Sequence, residues 1–290
     1  MKAEDLKTKE EITWCPGCPN NGILQASKEA IAELVNERKI KVKNVTIVTG
    51  VGCSPKIFDY IKVNGFYGLH GRVIPVCFGI KNGNPKLEVL GFAGDGGTYA
   101  EGVSHFVHAC RYNADFTMIV HNNQVFSLTT GQATPTTEQG FVDGSTPLGI
   151  KEKPLNPILL ALTSGATFVA RGYALNVPHL KDLIKEAITH KGFAFIDVLQ
   201  PCLIFHNTIS YFQKHIYKLK EKKHDFTDFE SALQKAKEWD YCLKEKARVP
   251  IGIFYKIKKP TFESQWPQLK KPWYTLKRKI DWPKVIEEFR

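Results

Sequence analysis

Four short apolar runs in this chain each end in a polar loop that carries Gly, Cys, Asp or Asn. Residues 45–49 run into GVGCS, 87–93 into GDGG, 117–120 into HNNQVF, and 193–199 into QPC. Apolar runs of this length, bounded by turn residues, read as buried strands. Between them lie segments with helical spacing. In 21–38 the apolar positions are Ile23, Leu24, Ala30, Ile31, Leu34 and Val35; in 101–111 they are Val103, Phe106, Val107 and Cys110. In 179–190 they are Leu180, Leu183, Ile184, Ala187 and Ile188, and Pro178 suits the first turn of that helix. Asn20 or Asn21 is expected to cap the first helix. The alternation continues to about residue 203 and predicts an α/β fold, a largely parallel sheet with helices on both faces. Ligands of such sheets bind outside the carboxyl ends of the strands. If the four strands share one sheet, Cys53, Asp95, Asn123 and Cys202 end near one another.

With 43% hydrophobic residues among 290, the chain can bury a substantial core. No apolar run approaches the about 18 residues of a membrane helix, and the polar start, MKAEDLKTKEEITW, lacks a signal-type apolar stretch. The expectation is a cytoplasmic protein with no membrane contact. The net charge of +11 is concentrated late, in KHIYKLKEKKH, KIKKP, LKKPW and LKRK. No nucleic-acid-binding motif accompanies these runs, so no nucleic acid is expected. A solvated face or an acidic partner protein is the better reading. The domain expectation is one cofactor-binding unit over 1–210 and a basic C-terminal extension over 211–290, with a helix around 228–241 and a short strand at 250–255. The Thr-, Gly- and Pro-rich stretch 124–157 is long for a plain connection, which suggests a functional loop.

Seven cysteines without a signal-type leader argue against a disulfide framework. Cys15 and Cys18 form a CxxC, and Cys53 and Cys202 stand at strand ends. Four thiolates from three segments suit Zn²⁺ or an iron–sulfur cluster. Cys77 and Cys110 lie in apolar stretches, as buried free cysteines do, and Cys242 joins them as a non-ligand. Gly94-Asp95-Gly96 follows a strand and precedes a helical segment. Such glycines let backbone amides approach a phosphate at a helix start, and Asp95 offers a hard oxygen to a divalent cation. Mg²⁺ shared with a diphosphate needs a second protein oxygen, which the Asn122-Asn123 pair after the next strand supplies.

GDG followed by NN resembles the thiamine diphosphate signature. WCPGCPNNGI (14–23), GLHGR (68–72), GDGGTYAEGVSHFVHACRYN (94–113), NNQVFSLTTGQATPTT (122–137) and RVPIGIFY (248–255) together resemble the β subunit of the 2-oxoacid:ferredoxin oxidoreductases. The resemblance spans nearly the whole chain. It implies that Cys15, Cys18, Cys53 and Cys202 hold a [4Fe–4S] cluster, and that Asp95, the Asn123 side chain and the Val125 carbonyl hold Mg²⁺. It places Gly96, Gly97, His70 and Gly71 at the diphosphate, Val51, Gly52 and Ser54 beside the cofactor next to Cys53, and Ser127 and Leu128 on its other side. Lys56, Leu128 and Thr130 match positions near the substrate pocket. Two places depart from the family: Gly97 stands where an acidic residue is frequent, and Phe126-Ser127 where Tyr-Gly is usual.

The activity implied is oxidative decarboxylation of a 2-oxoacid, of the 2-oxoglutarate or pyruvate type. Coenzyme A takes the acyl group, and electrons pass through the cluster to ferredoxin. An α subunit would complete the site in a heterodimer, and the basic C-terminal region is the expected contact for it. The competing readings are a non-oxidative thiamine diphosphate-dependent decarboxylase, which leaves the cysteines idle, and a zinc-stabilised binding protein, which leaves GDG and NN idle.

Overall fold

The computed structural model describes residues 1–276 and 280–290; Lys277, Arg278 and Lys279 of the LKRK run lie outside the described residues. Among the described residues, ten strands form two sheets: β1 (Val45–Thr49), β2 (Asn64–Tyr67), β3 (Glu88–Gly94), β4 (Thr117–Asn122), β5 (Val125–Phe126), β6 (Gln132–Ala133), β7 (Phe168–Tyr173), β8 (Ala194–Leu199), β9 (Ile216–Lys218) and β10 (Val249–Lys256). Eight of them make one sheet in the order β2-β1-β3-β4-β8-β7-β10-β9, and β5 and β6 pair in a small hairpin. In the large sheet the β7–β10 pairing is antiparallel and the other pairings among the described residues are parallel.

The strands alternate between two cores because successive side chains in a strand point to opposite faces. Ile119 and Ile196 face the core built with α1 (Asn20–Asn36) and α5 (Val177–Thr189). Met118, Val120 and Phe195 face the core built with α2 (Val73–Gly83), α3 (Val103–Tyr112), α4 (Pro157–Thr163) and α7 (Phe229–Lys237). Burial on both faces explains why these strands read as continuous apolar runs. Between α1 and α5, Lys181 and Lys185 meet Glu33 at 2.8 and 2.7 Å. Among the described residues, no helix is long and apolar enough to cross a membrane.

Several sequence expectations change. The first helix has Pro19 at its cap position with no side-chain cap bond. Asn20 instead turns its Oδ1 to His121 Nδ1 at 2.8 Å, and Asn21 Nδ2 donates back to the Cys18 carbonyl. The segment after GDG starts as a π-helical turn, Gly97–Glu101, before α3 begins. The late strand is longer than expected and sits inside the sheet. Residues beyond 210 therefore contribute β9 and β10 to the same sheet as β1, β3, β4 and β8. The helix of the extension is shorter than 228–241, with Asp228 capping its start through bonds to Glu230 N and Ser231 N.

Candidate active site

The strands β1, β3, β4 and β8 are consecutive neighbours and parallel, so their trailing loops meet at one pole of the sheet. Two crevices open there. The first, about 460 Å³, runs between the loop after β1 (Val51, Gly52, Cys53, Ser54), the 94–97 turn and residues 123–129, with His70 at its side. The second, about 740 Å³, is lined by Cys15, Cys18, Cys53 and Cys202 together with Lys56 and Gln200. Cys53, Asn123, Ser127 and Leu128 line both.

Asp95 stands at the floor of the first crevice, 1% exposed. Burial pushes its carboxyl up to about 6, opposed by hydrogen bonds from Thr134 and Thr136. Thr134 Oγ1 donates to Asp95 Oδ2 at 2.5 Å. The Thr136 hydroxyl lies 2.9 Å from the same oxygen and 3.0 Å from Asn122 Oδ1. Both threonines come from the stretch after the Asn pair, folded back against the turn by Thr137, whose hydroxyl bonds the Gln124 carbonyl. A buried carboxylate whose hydrogen-bond partners are all neutral, two hydroxyls and a backbone N–H, is a poor way to hold a negative charge and a good seat for a cation. Asn123 directly follows the neighbouring strand β4, its Oδ1 accepting from Val125 N at 3.1 Å.

The glycines of the turn are required by close approach. A Cβ on Gly96 would lie 2.1 Å from the Phe126 ring, and one on Gly71, at φ +71°, would lie 2.6 Å from Glu101 Cβ. The Gly71 amide nitrogen and the His70 ring both face Gly97, and His70 Nδ1 lies 3.2 Å from Glu101 Oε2. Backbone amides and an imidazole thus surround a glycine-walled space above Asp95, which suits an anion paired with a cation.

The four cysteines are free and surround the second crevice. Gly17, at φ +75°, allows the turn in which Cys18 N donates to the Cys15 carbonyl at 3.0 Å. Trp14 Nε1 donates to the Cys53 carbonyl at 2.7 Å, joining the N-terminal segment to the β1 loop. Burial pushes the Cys18 thiol up to about 11, with Asn20 N–H pulling it down and the other three cysteines adding to the rise. Cys53 is also raised by burial, opposed by a bond from Ser127. Among the described residues, no group of three or more His, Cys, Asp or Glu side chains is arranged to hold a metal ion. Cys77 and Cys110 are fully buried in the core, away from the crevice.

Beneath the crevices lies a buried polar network that the sequence reading missed. Asp197, in β8, accepts from Tyr99 at 2.8 Å, Asn122 at 3.0 Å and Tyr241 at 2.6 Å. Arg171, in β7, donates to Tyr241 at 2.9 Å and to the Pro250 carbonyl at 3.1 Å. Its guanidinium stacks on Trp239, Tyr241 and Phe254, with Nε 3.9 Å from Asp197. Through Asn122 and Thr136 this network continues to Asp95. Of the expected site residues, Thr130 and Gly71 line neither crevice; Gly71 still faces Gly97 through its amide nitrogen, whereas Thr130 is exposed, at φ +81°. Lys56 donates to Thr13 at 2.6 Å on the rim of the second crevice.

The family model for the thiamine pyrophosphate enzyme C-terminal TPP binding domain matches residues 50–198. The model for the C-terminal part of the pyruvate ferredoxin oxidoreductase beta subunit matches residues 205–271. A 2-oxoacid:ferredoxin oxidoreductase subunit beta of Saccharolobus solfataricus is 47% identical over 256 residues, which cover 83% of this chain and 81% of that protein. The subunit beta of 2-oxoacid:ferredoxin oxidoreductase 1 of Aeropyrum pernix is 41% identical over 283 residues, 93% of this chain and 86% of its own. The solved 2-oxoglutarate:ferredoxin oxidoreductase of Magnetococcus marinus, with 2-oxoglutarate, coenzyme A and succinyl-CoA bound, superposes with a TM-score of 0.89 at 30% identity, over 100% of this chain and 96% of that one. The glycine-walled crevice over Asp95 falls inside the matched TPP-binding region, and the chain belongs to the beta subunits of the thiamine-dependent 2-oxoacid:ferredoxin oxidoreductases.

Proposed function

We propose that this subunit holds thiamine diphosphate with Mg²⁺ in the first crevice and a [4Fe–4S] cluster in the second, and works in the oxidative decarboxylation of a 2-oxoacid. The observation that carries the reading is the shared wall: Cys53, Asn123, Ser127 and Leu128 line both crevices. When bound, thiamine diphosphate supplies a carbon nucleophile for the keto group and an electron sink, and an iron–sulfur cluster takes electrons singly.

The chain's own residues prepare this chemistry. Asp95 and Asn123 would hold Mg²⁺, with the Val125 carbonyl as a third oxygen, and the two threonines on Asp95 fix which of its oxygens faces the crevice. Gly96 and Gly97, with His70 and Gly71, would receive the diphosphate. Val51, Gly52 and Ser54 on one side and Ser127 and Leu128 on the other would orient the cofactor's reactive end and keep water from it. Cys15, Cys18, Cys53 and Cys202 would bind iron. All four line one crevice, and four thiolates suit an iron–sulfur cluster.

Lys56, on the rim, would meet a substrate carboxylate. The structural neighbour's ligands support 2-oxoglutarate with coenzyme A as the first pair to test, with pyruvate second. Two partners complete the assignment: an α subunit, which would cover the exposed side of the first crevice, and ferredoxin, docking by charge. The lysines at 218, 220, 222 and 223, beside β9, are the candidate docking surface.

The test is an anaerobic preparation of the complex, analysed for iron, sulfide, zinc and thiamine diphosphate. It is then assayed with a panel of 2-oxoacids, coenzyme A and ferredoxin. Iron and sulfide near four each, with coenzyme A-dependent ferredoxin reduction, support the reading. Stoichiometric zinc, or decarboxylation to free aldehyde without electron transfer, would overturn it in favour of a binding protein or a simple decarboxylase.

A further inference from the structure

The two crevices are joined by hydrogen bonds whose direction is fixed at both ends. Val125 N–H donates to Asn123 Oδ1 at 3.1 Å, so the Asn123 amide nitrogen must face the other way. That nitrogen has two protons, and the structure gives each an acceptor. One goes to Gln200 Oε1 at 3.2 Å, the other to Ser127 Oγ at 3.3 Å. Gln200 is 1% exposed, and its own orientation is set by Nε2 donating to the Pro201 carbonyl at 3.0 Å. The same nitrogen approaches Cys18 Sγ at 3.9 Å. On the other branch the Ser127 hydroxyl, having accepted from Asn123, has its proton free for the Cys53 sulfur, beside which it lines both crevices and whose thiol it pulls down against the effect of burial. One carboxamide therefore forks into two donor chains, each ending on a different cysteine of the second crevice.

We propose that Gln200 and Ser127 are positioning residues that couple occupancy of the thiamine site to the reduction potential of the cluster. The inference rests on the cofactor and cluster reading given above. A cation on Asn123 Oδ1 withdraws electron density from the amide and strengthens its two N–H donors. Each strengthened donor polarises the next link in turn. Donors to cluster sulfurs favour the reduced state, because they stabilise its added negative charge. Loading Mg²⁺ and thiamine diphosphate thus raises the potential, and the cluster accepts electrons more readily when their source is in place. Linkage is reciprocal: the reduced enzyme binds the cofactor more tightly by the same factor. A factor of about three to ten corresponds to a shift of about 30–60 mV for one electron.

The experiment is an EPR-monitored redox titration of the assembled complex, with and without Mg²⁺ and thiamine diphosphate, for wild type, Ser127→Ala and Gln200→Met. The expected wild-type result is a higher potential on loading. Each variant should show a lower potential than wild type, with a smaller response to loading. Serine to alanine at a crevice wall leaves the fold intact, so Ser127→Ala decides even if Gln200→Met fails to assemble. A wild-type potential that does not respond to loading, or variants with wild-type potentials, would overturn the coupling while leaving the cofactor reading in place. A wild-type complex without iron would overturn both.

Discussion

Asp95→Asn should make the cofactor-free protein more stable at neutral pH while destroying its ability to bind Mg²⁺ and thiamine diphosphate. Burial raises the Asp95 carboxyl from 3.8 to about 6. A rise of about two units corresponds to about 3 kcal/mol of differential interaction, disfavouring the charged form. The unfolded state releases its proton near pH 4 and the folded state near pH 6. Between those values the folded protein binds more protons, so its stability falls as pH rises through the window, and it stays lower above pH 6. Asparagine has no charge to bury and can present an oxygen to the Thr134 and Thr136 hydroxyls. Its amide protons must find acceptors in the same place, which removes part of the gain. A net stabilisation of about 1–2 kcal/mol at pH 7.5 remains, or a rise in Tm of a few degrees for a chain of this size. Below pH 4, where Asp95 is protonated in both states, the stabilisation should vanish and leave only the cost of the amide protons. Denaturant titrations at pH 7.5 and pH 4 measure both, and isothermal titration with Mg²⁺ and thiamine diphosphate measures the lost binding. A variant less stable than wild type at pH 7.5, or equally stabilised at both pH values, would refute the argument that Asp95 is a strained charge kept for a cation.

Gly96→Ala places a methyl 2.1 Å from the Phe126 ring. The backbone there is helical, with φ −57°, so alanine's propensity offsets part of the about 1–3 kcal/mol cost of overpacking. The ring is displaced into the first crevice: stability should change by under about 2 kcal/mol, while cofactor affinity falls at least about tenfold. Adding Phe126→Leu should restore binding, as fluorescence titration would show. Arg171→Met leaves Asp197 buried beside Tyr99, Tyr241 and Asn122 with no cation. Stability should drop by about 3–5 kcal/mol in urea titrations, and a loss under about 1 kcal/mol would show that the network is neutral at rest.

The strands that carry the site were legible because burial on both faces leaves uninterrupted apolar runs, and each run stops where the polar loop begins. β7 was not, because Arg171 interrupts its apolar pattern; the charge is tolerated only by Asp197, Tyr241 and the aromatic stack, all brought from distant segments. β2, exposed at all four positions, has no apolar pattern to read, and Pro75 within the first turn of α2 obscures that helix. At the site, the residue types of the expected ligands, Cys, Asp and Asn, announce that chemistry from sequence. Thr134, Thr136 and Gln200 do not, since their roles depend on what the fold sets opposite them. The QPC tripeptide put Gln200 next to an expected ligand, and that was its only signal.

The central claim is that the two crevices sharing the Cys53 loop form one electron path. Stopped-flow mixing of the oxidised, cofactor-loaded complex with 2-oxoglutarate and coenzyme A under anaerobic conditions, without any external acceptor, tests it most directly. The predicted result is loss of the cluster's visible absorption and appearance of its reduced EPR signal as CO₂ is released, with both absent when 2-oxoacid is omitted. Release of CO₂ while the cluster remains oxidised would contradict it.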